Sequence, residues 1–118
     1  MAEFTFKSGI KTLDILDEIT KEVVVTYSID VGNKEQTQRW IKKINGLDIT
    51  NKKFSEDEKA IDELEESLKS VVDAILGEEA WTFLWEKYTH NIGSMTAFVK
   101  YLSSFLNEEL TKIYKGYV

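Results

Sequence analysis

The segment from Gly77 to Gly93 constrains the fold most, because it carries two of the three tryptophans of the chain between two glycines. At about 100° per residue, its apolar side chains cover roughly half of a helical circumference, which is wider than the stripe of a helix packed on one side only. These side chains are Ala80, Trp81, Phe83, Leu84, Trp85 and Tyr88. A helix of this kind needs neighbours on two sides, so we predict a central helix over about 78–90.

One edge of this predicted helix carries Trp81, Trp85 and Tyr88 at helical spacing. Such a row either packs in the core or stays open as a docking surface, since tryptophan and tyrosine anchor many protein interfaces. The sequence does not choose between these interpretations, and we name all three as candidate partner-binding residues. Two further candidates lie in the last predicted helix: Glu109 interrupts its apolar stripe, and Tyr114 lies close to its end.

Apolar residues at helical spacing predict three further helices, over about 34–45, 56–76 and 95–114. The first follows Asn33, which forms a capping-box spacing with a glutamine three residues later. The second has the longest regular apolar stripe of the chain. The third is expected to begin after Ser94 as its N-cap.

Apolar and polar residues alternate near the start of the chain, which predicts a small antiparallel sheet of two to three strands over about 3–31. The clearest strand covers 21–31, which is rich in β-branched residues. A short strand is predicted over 3–7. Residues 10–16 fit either a strand or a helix, and we predict a strand. Residues 47–54 are polar and are predicted to form a loop.

The composition fits a single domain of the α+β class, residues 1–118, in which the sheet packs with four helices. A chain of 118 residues suits one hydrophobic core, and 42% hydrophobic with 31% charged residues is typical of globular proteins. The first residues lack the pattern of a signal peptide, and no apolar segment is long enough to cross a membrane. We therefore expect a cytoplasmic protein without a membrane partner.

Few side chains indicate catalysis. The chain has no cysteine and one histidine, which excludes thiolate chemistry, cysteine-based metal sites and any site that needs two histidines. Carboxylate pairs arise by chance among 21 acidic residues, and the net charge of −6 argues against nucleic acid as a partner. We expect no cofactor, no metal and no enzymatic activity. A small enzyme that uses His90 is the remaining catalytic alternative.

The charges are arranged with opposite signs on two predicted helices. Lys34, Arg39, Lys42 and Lys43 make the first helix basic, whereas the outer face of the second, within 62–73, is acidic. This favours docking on a charged protein partner or association into a homo-oligomer.

The run from Leu64 to Trp81, followed by Asn91-Ile-Gly93 and a long helix, resembles the small tail assembly chaperones of long-tailed bacteriophages and prophages. The likeness lies in size, acidity and element order, with a Leu-Gly break before an aromatic helix. The resemblance implies a protein in the bacterial host cytoplasm that binds the tape-measure protein and recruits tail-tube subunits, often as an oligomer, without catalytic residues. A dimeric, acidic secretion-type chaperone or adaptor is the alternative.

Overall fold

The described residues form an antiparallel β-hairpin and four helices, which confirms the predicted α+β class. A computed structural model describes residues 2–6, 8–47 and 58–115, without the side chains of residues 58, 60, 88, 89 and 113–115. The elements in chain order are β1 (Ile10–Leu16), β2 (Val23–Asp30), α1 (Lys34–Asn45), α2 (Glu58–Leu76), α3 (Ala80–Leu84) and α4 (Ile92–Lys115). A π-helical turn, Trp85–Thr89, continues α3. Most of the loop predicted over 47–54 lies outside the described residues.

The hairpin confirms the predicted strands over 10–16 and 21–31. Leu13 of β1 lies opposite Tyr27 of β2, and the register shifts at the end of β1, where Leu16 pairs with Val23. The alternation places one side of the hairpin on the core: Leu13 and Ile29 are buried there. The opposite side is polar and includes a hydrogen bond from the Thr26 hydroxyl to the Asp14 carboxylate, 2.8 Å long.

The strand predicted over 3–7 does not form within the described residues 2–6, so the sheet has two strands rather than three. Phe4 and Phe6 are 79% and 89% exposed, and their rings meet edge to face at 4.8 Å. Alternation shows that a segment suits a sheet, but a strand also needs a neighbour that completes its hydrogen bonds. We call Ala2–Phe6 the arm.

The core lies where α1, α2 and α4 pack on one another, with β2 against α2. Its fully buried side chains come from the predicted apolar stripes, among them Leu68, Val72, Val99 and Leu102. The backbone of β1 lies close to that of β2 and of no other described element, whereas its Leu13 side chain reaches the core. The radius of gyration is 16.6 Å, above the value of about 13.5 Å typical of a compact chain of this length.

The central helix begins later than predicted, at Ala80 rather than residue 78. Gly77 and Glu79 both adopt positive φ angles, +114° and +67°, so the chain turns sharply between α2 and α3. The carboxylate of Asp73, one turn before the end of α2, accepts a hydrogen bond from the backbone N–H of Trp81 at 2.9 Å. α3 is therefore capped from the preceding helix rather than by its own N-cap residue.

Asparagine side chains cap the first and last helices. The Asn33 side chain accepts from the N–H of Gln36 at 3.0 Å, as the capping-box spacing predicts. At the last helix the predicted cap, Ser94, is wrong: the Asn91 side chain accepts from the N–H groups of Gly93 and Ser94, and α4 begins three residues early, at Ile92. Asparagine caps a helix as serine does, because its side-chain oxygen also accepts from the first backbone N–H groups. The helix therefore begins after Asn91, the earlier of the two capping residues.

Two glycines lie so close that neither position has room for a side chain. A Cβ on Gly9 would stand 2.3 Å from the Cα of Gly32. We expect Gly9→Ala to lower the free energy of unfolding by about 1–3 kcal/mol, because the backbone has to separate there. Gly46→Ala is the control: its φ is −77°, a Cβ meets atoms no closer than 3.5 Å, and it should stabilise by about 0.4–1 kcal/mol. Urea unfolding of both variants tests this, and equal effects would contradict it.

The Asp73 cap gives a second prediction. Asp73→Ala should lower the free energy of unfolding by about 1 kcal/mol, because the N–H of Trp81 loses its acceptor at a part-buried position. Asp62→Ala, an exposed aspartate of the same helix, should change it by less than about 0.5 kcal/mol. Denaturant unfolding followed by tryptophan fluorescence measures both, and a harmless Asp73→Ala would show that the cap contributes nothing.

Candidate partner-binding surface

The π-helical turn arranges three rings beside one another. The indoles of Trp81 and Trp85 stack at 5.5 Å with planes 14° apart, and the His90 imidazole lies 5.7 Å from Trp85. The turn closes where the N–H of His90 donates to the carbonyl oxygen of Trp85 at 3.2 Å, five residues back, with His90 at a φ of +42°. π-Helical turns occur frequently at functional sites. Here the turn places the Trp85 ring on the ring of Trp81, which is buried.

The two tryptophans have different environments. Trp81 is 3% exposed and belongs to the core, so the core interpretation holds for this residue. Trp85 is half-buried and packs against the core from outside. The side chain of Tyr88 lies outside the described part of the chain. The predicted aromatic edge is therefore carried, among described side chains, by Trp85 alone.

Glu109 is a member of an ion pair. Its side chain is 13% exposed and accepts a hydrogen bond from the ammonium of Lys112 at 3.3 Å. This bond, with the charges of Glu109 and Glu108, raises the pKa of Lys112 above its ordinary value of 10.5. The side chain of Tyr114, the other candidate on α4, lies outside the described residues. The acidic residue in the apolar stripe is thus satisfied within its own helix.

A groove of about 930 Å³, lined by both apolar and polar side chains, lies between the turn of the hairpin and the helices. We call it the tip groove. Leu16, Ile19 and Val23 line it from the hairpin, and they are 51%, 89% and 52% exposed. From the other side it is lined by Leu84 of α3 and by Met95 and Phe98 of α4. Its hairpin wall is the most exposed apolar surface beside a described cavity.

The local sequence explains why Ile19 stands in the open. The Asp17 carboxylate accepts hydrogen bonds from the N–H groups of Ile19 and Thr20, each 2.9 Å long, which folds the turn around an acidic residue. Lys21 adopts a positive φ of 61°, and the N–H of Asp17 donates to the carbonyl oxygen of Glu22. These hydrogen bonds fix the backbone of the turn, while the Ile19 side chain remains exposed. An isoleucine within an otherwise polar turn was the sequence signal for this surface, and our predictions missed it.

The rim of the tip groove is mainly acidic. Asp17, Glu18 and Glu22 stand on the hairpin side, and Lys87 stands on the helix side. The Lys87 ammonium lies 5.8 Å from the centre of the Phe83 ring, a cation–π distance that draws it along the helix surface. An apolar floor with carboxylates at its edge suits a segment that is apolar on one side and basic beside it.

His90 is the residue of the catalytic alternative. His90 is exposed, does not line the tip groove, and its imidazole faces the Glu86 carboxylate at 3.9 Å. Among the described residues, no group of three or more histidines and carboxylates is placed to hold a metal ion. No described helix combines the length and apolarity needed to span a bilayer.

Comparison of the chain with family models, with characterised proteins and with solved structures gives no match in any of the three. The geometry of this chain is accordingly the basis for the inferences that follow.

The turn of the hairpin should be sensitive to acid. Two backbone N–H groups, those of Thr20 and Ile19, lower the pKa of Asp17 below its ordinary value of 3.8. A lowered pKa means that the ionised Asp17 carboxylate stabilises the folded turn above the unfolded value of 3.8. This stabilisation is lost as the pH falls through the lower pKa of the folded state. The amide NMR signals of Ile19 and Thr20 should therefore titrate below pH 3.8. A midpoint at or above 3.8 would contradict the hydrogen bonds.

Proposed function

We propose that this chain is a non-enzymatic protein-binding protein, and that the tip groove takes an amphipathic segment of its partner. The observation that carries the proposal is the pairing of exposed apolar side chains on the hairpin turn with an apolar wall of α3 and α4 across about 930 Å³. Apolar patches of this kind, rimmed by charge, mark binding surfaces in soluble proteins.

The shape and charge of the groove define the chemistry of the partner. An amphipathic helix places apolar anchors every three to four residues on one face, and such anchors dock in apolar grooves of this type. The carboxylates of Asp17, Glu18 and Glu22 favour lysine or arginine beside those anchors, which increases the rate of association and fixes orientation. The proposed partner segment is therefore a helix with one apolar face and a basic flank.

We further propose that the protein is a phage or prophage tail assembly chaperone, whose partner is the tape-measure protein and which recruits tail-tube subunits. Support comes from the resemblance in sequence pattern and from the tip groove. A very long helical protein presents apolar stripes that remain uncovered until it is assembled. A small acidic protein with a groove for such a stripe is suited to keep it in solution.

The proposal predicts a specific loss of binding. Leu16→Ser combined with Ile19→Ser should raise the Kd for the partner about tenfold or more, since both side chains leave the apolar wall. Tyr101→Ser is the matched control, because Tyr101 is 51% exposed, as is Leu16, and lies on α4 outside the groove. The partner to test is a very long helical protein encoded beside this chain, and titration calorimetry with the two proteins purified separately gives the Kd.

Two results would overturn these proposals separately. Undiminished binding by the folded double variant would remove the tip groove as the docking surface. Gene neighbours without any long helical protein would remove the tape-measure assignment, while binding of a basic amphipathic helix in the groove would still be open to measurement.

A further inference from the structure

The arm has the alternating sequence of a strand but pairs with no strand among the described residues. Phe4 and Phe6 alternate with Glu3 and Thr5, so that in an extended conformation both rings lie on one side. Both phenylalanines are more than three-quarters exposed. Two adjacent aromatic side chains left in water favour a partner that covers them.

The same chain offers an unpaired sheet edge. The backbone of β1 lies close to that of β2 and of no other described element, and Ile10, Thr12 and Asp14 are exposed. No described element therefore covers the outer edge of β1. The N–H of Val31 donates to the carbonyl oxygen of Gly9 at 2.9 Å, which makes these two residues a hydrogen-bonded pair. Because such pairs alternate along an antiparallel ladder, the backbone groups of Ile10, Thr12 and Asp14 point away from β2. An uncovered edge of this kind is a template for an added strand.

We infer that the arm of one copy pairs as an added strand with the outer edge of β1 in a second copy of this chain. The inference is independent of the proposed function, since the edge at residues 10–14 is distinct from the wall of the tip groove at Leu16, Ile19 and Val23. We assign the register that places Phe4 and Phe6 on the apolar side of the sheet, beside the row that contains Leu13, because this register covers both rings. Glu3 and Thr5 then lie on the polar side, with Thr12.

The lengths of donor and acceptor agree. The five arm residues extend about 17 Å, and so do the five edge residues 10–14, which precede the irregularity at Leu16. Each copy carries one donor and one acceptor, so two copies can exchange arms reciprocally and close a two-fold dimer.

The geometry at the base of the hairpin favours a second copy over pairing within one chain. A tight turn back within one chain would need the outward N–H of Ile10 to close it, and the Ser8 hydroxyl already accepts from this group at 3.1 Å. The arm of a second copy can pair at Thr12 and Asp14 without it. Gly9 is held against Gly32 by their close approach and by the bond to Val31. The described residues 2–6 form no strand, so the arm is not paired with the edge of its own chain.

Cysteine cross-linking tests the contact directly, because the chain has no native cysteine. One protein carries Thr5→Cys and a second, with a different mass tag, carries Thr12→Cys. Mild oxidation should join the two proteins, whereas Thr5→Cys with Ser28→Cys should give far less product, because Ser28 lies one strand further from the edge. Cross-linking that appears only within single chains of a Thr5→Cys/Thr12→Cys variant would overturn the inference.

Light scattering over a wide range of concentration tests the association itself. Adjacent residues of a strand point their N–H groups in opposite directions, so either Thr5→Pro or Phe6→Pro must remove a ladder hydrogen bond. At least one of them should raise the dimer Kd about tenfold or more. Thr5→Val keeps the N–H and should leave it unchanged. A monomer at all concentrations, or a dimer insensitive to both prolines, would overturn the inference.

Discussion

Burial of the Trp81 indole is the interaction on which the arrangement of the helices depends. A tryptophan removes 150–250 Å² from water, so its burial contributes roughly 4–6 kcal/mol, a large part of the net stability of a small domain. The sharp turn of the chain at Gly77 and Glu79 brings the side chain into the core, and the Asp73 carboxylate accepts from the N–H of Trp81. Asp73 of α2 thus fixes where α3 begins. This places the Trp81 indole, on which Trp85 stacks.

The sequence predicted the elements that carry a regular apolar period. α1, α2 and the two strands fall where alternation or helical spacing placed them, since these patterns record which side of an element is buried. The starts of α3 and α4 were predicted less well. Two acceptors were missed: Asp73, which had been placed on the solvent face of its helix, and Asn91, which precedes the serine that was expected to cap. Both depend on where a carbonyl-bearing side chain points, which periodicity does not encode.

The candidate site was harder to predict than the fold, because its two walls are far apart in the sequence. Ile19 lies in a hairpin turn and Phe98 in the last helix, and only folding brings them to one groove. Of the aromatic residues predicted as partner-binding candidates, Trp81 has another role. Trp81 fills the core, and a cluster of large rings is as useful for packing as for docking. The apolar residues that remain exposed are instead those in segments without a helical or strand neighbour on their outer side.

The close approach of Gly9 and Gly32 has a mechanical consequence. These residues stand at the base of the hairpin, one residue before Asn33, which caps α1, and they are tied by the bond between Val31 and Gly9. A pull on the arm against the helices therefore acts first on the hydrogen bond between Val31 and Gly9, at the end of the ladder next to α1. Under tension in an assembly, the two strands would separate from this end, one hydrogen bond at a time.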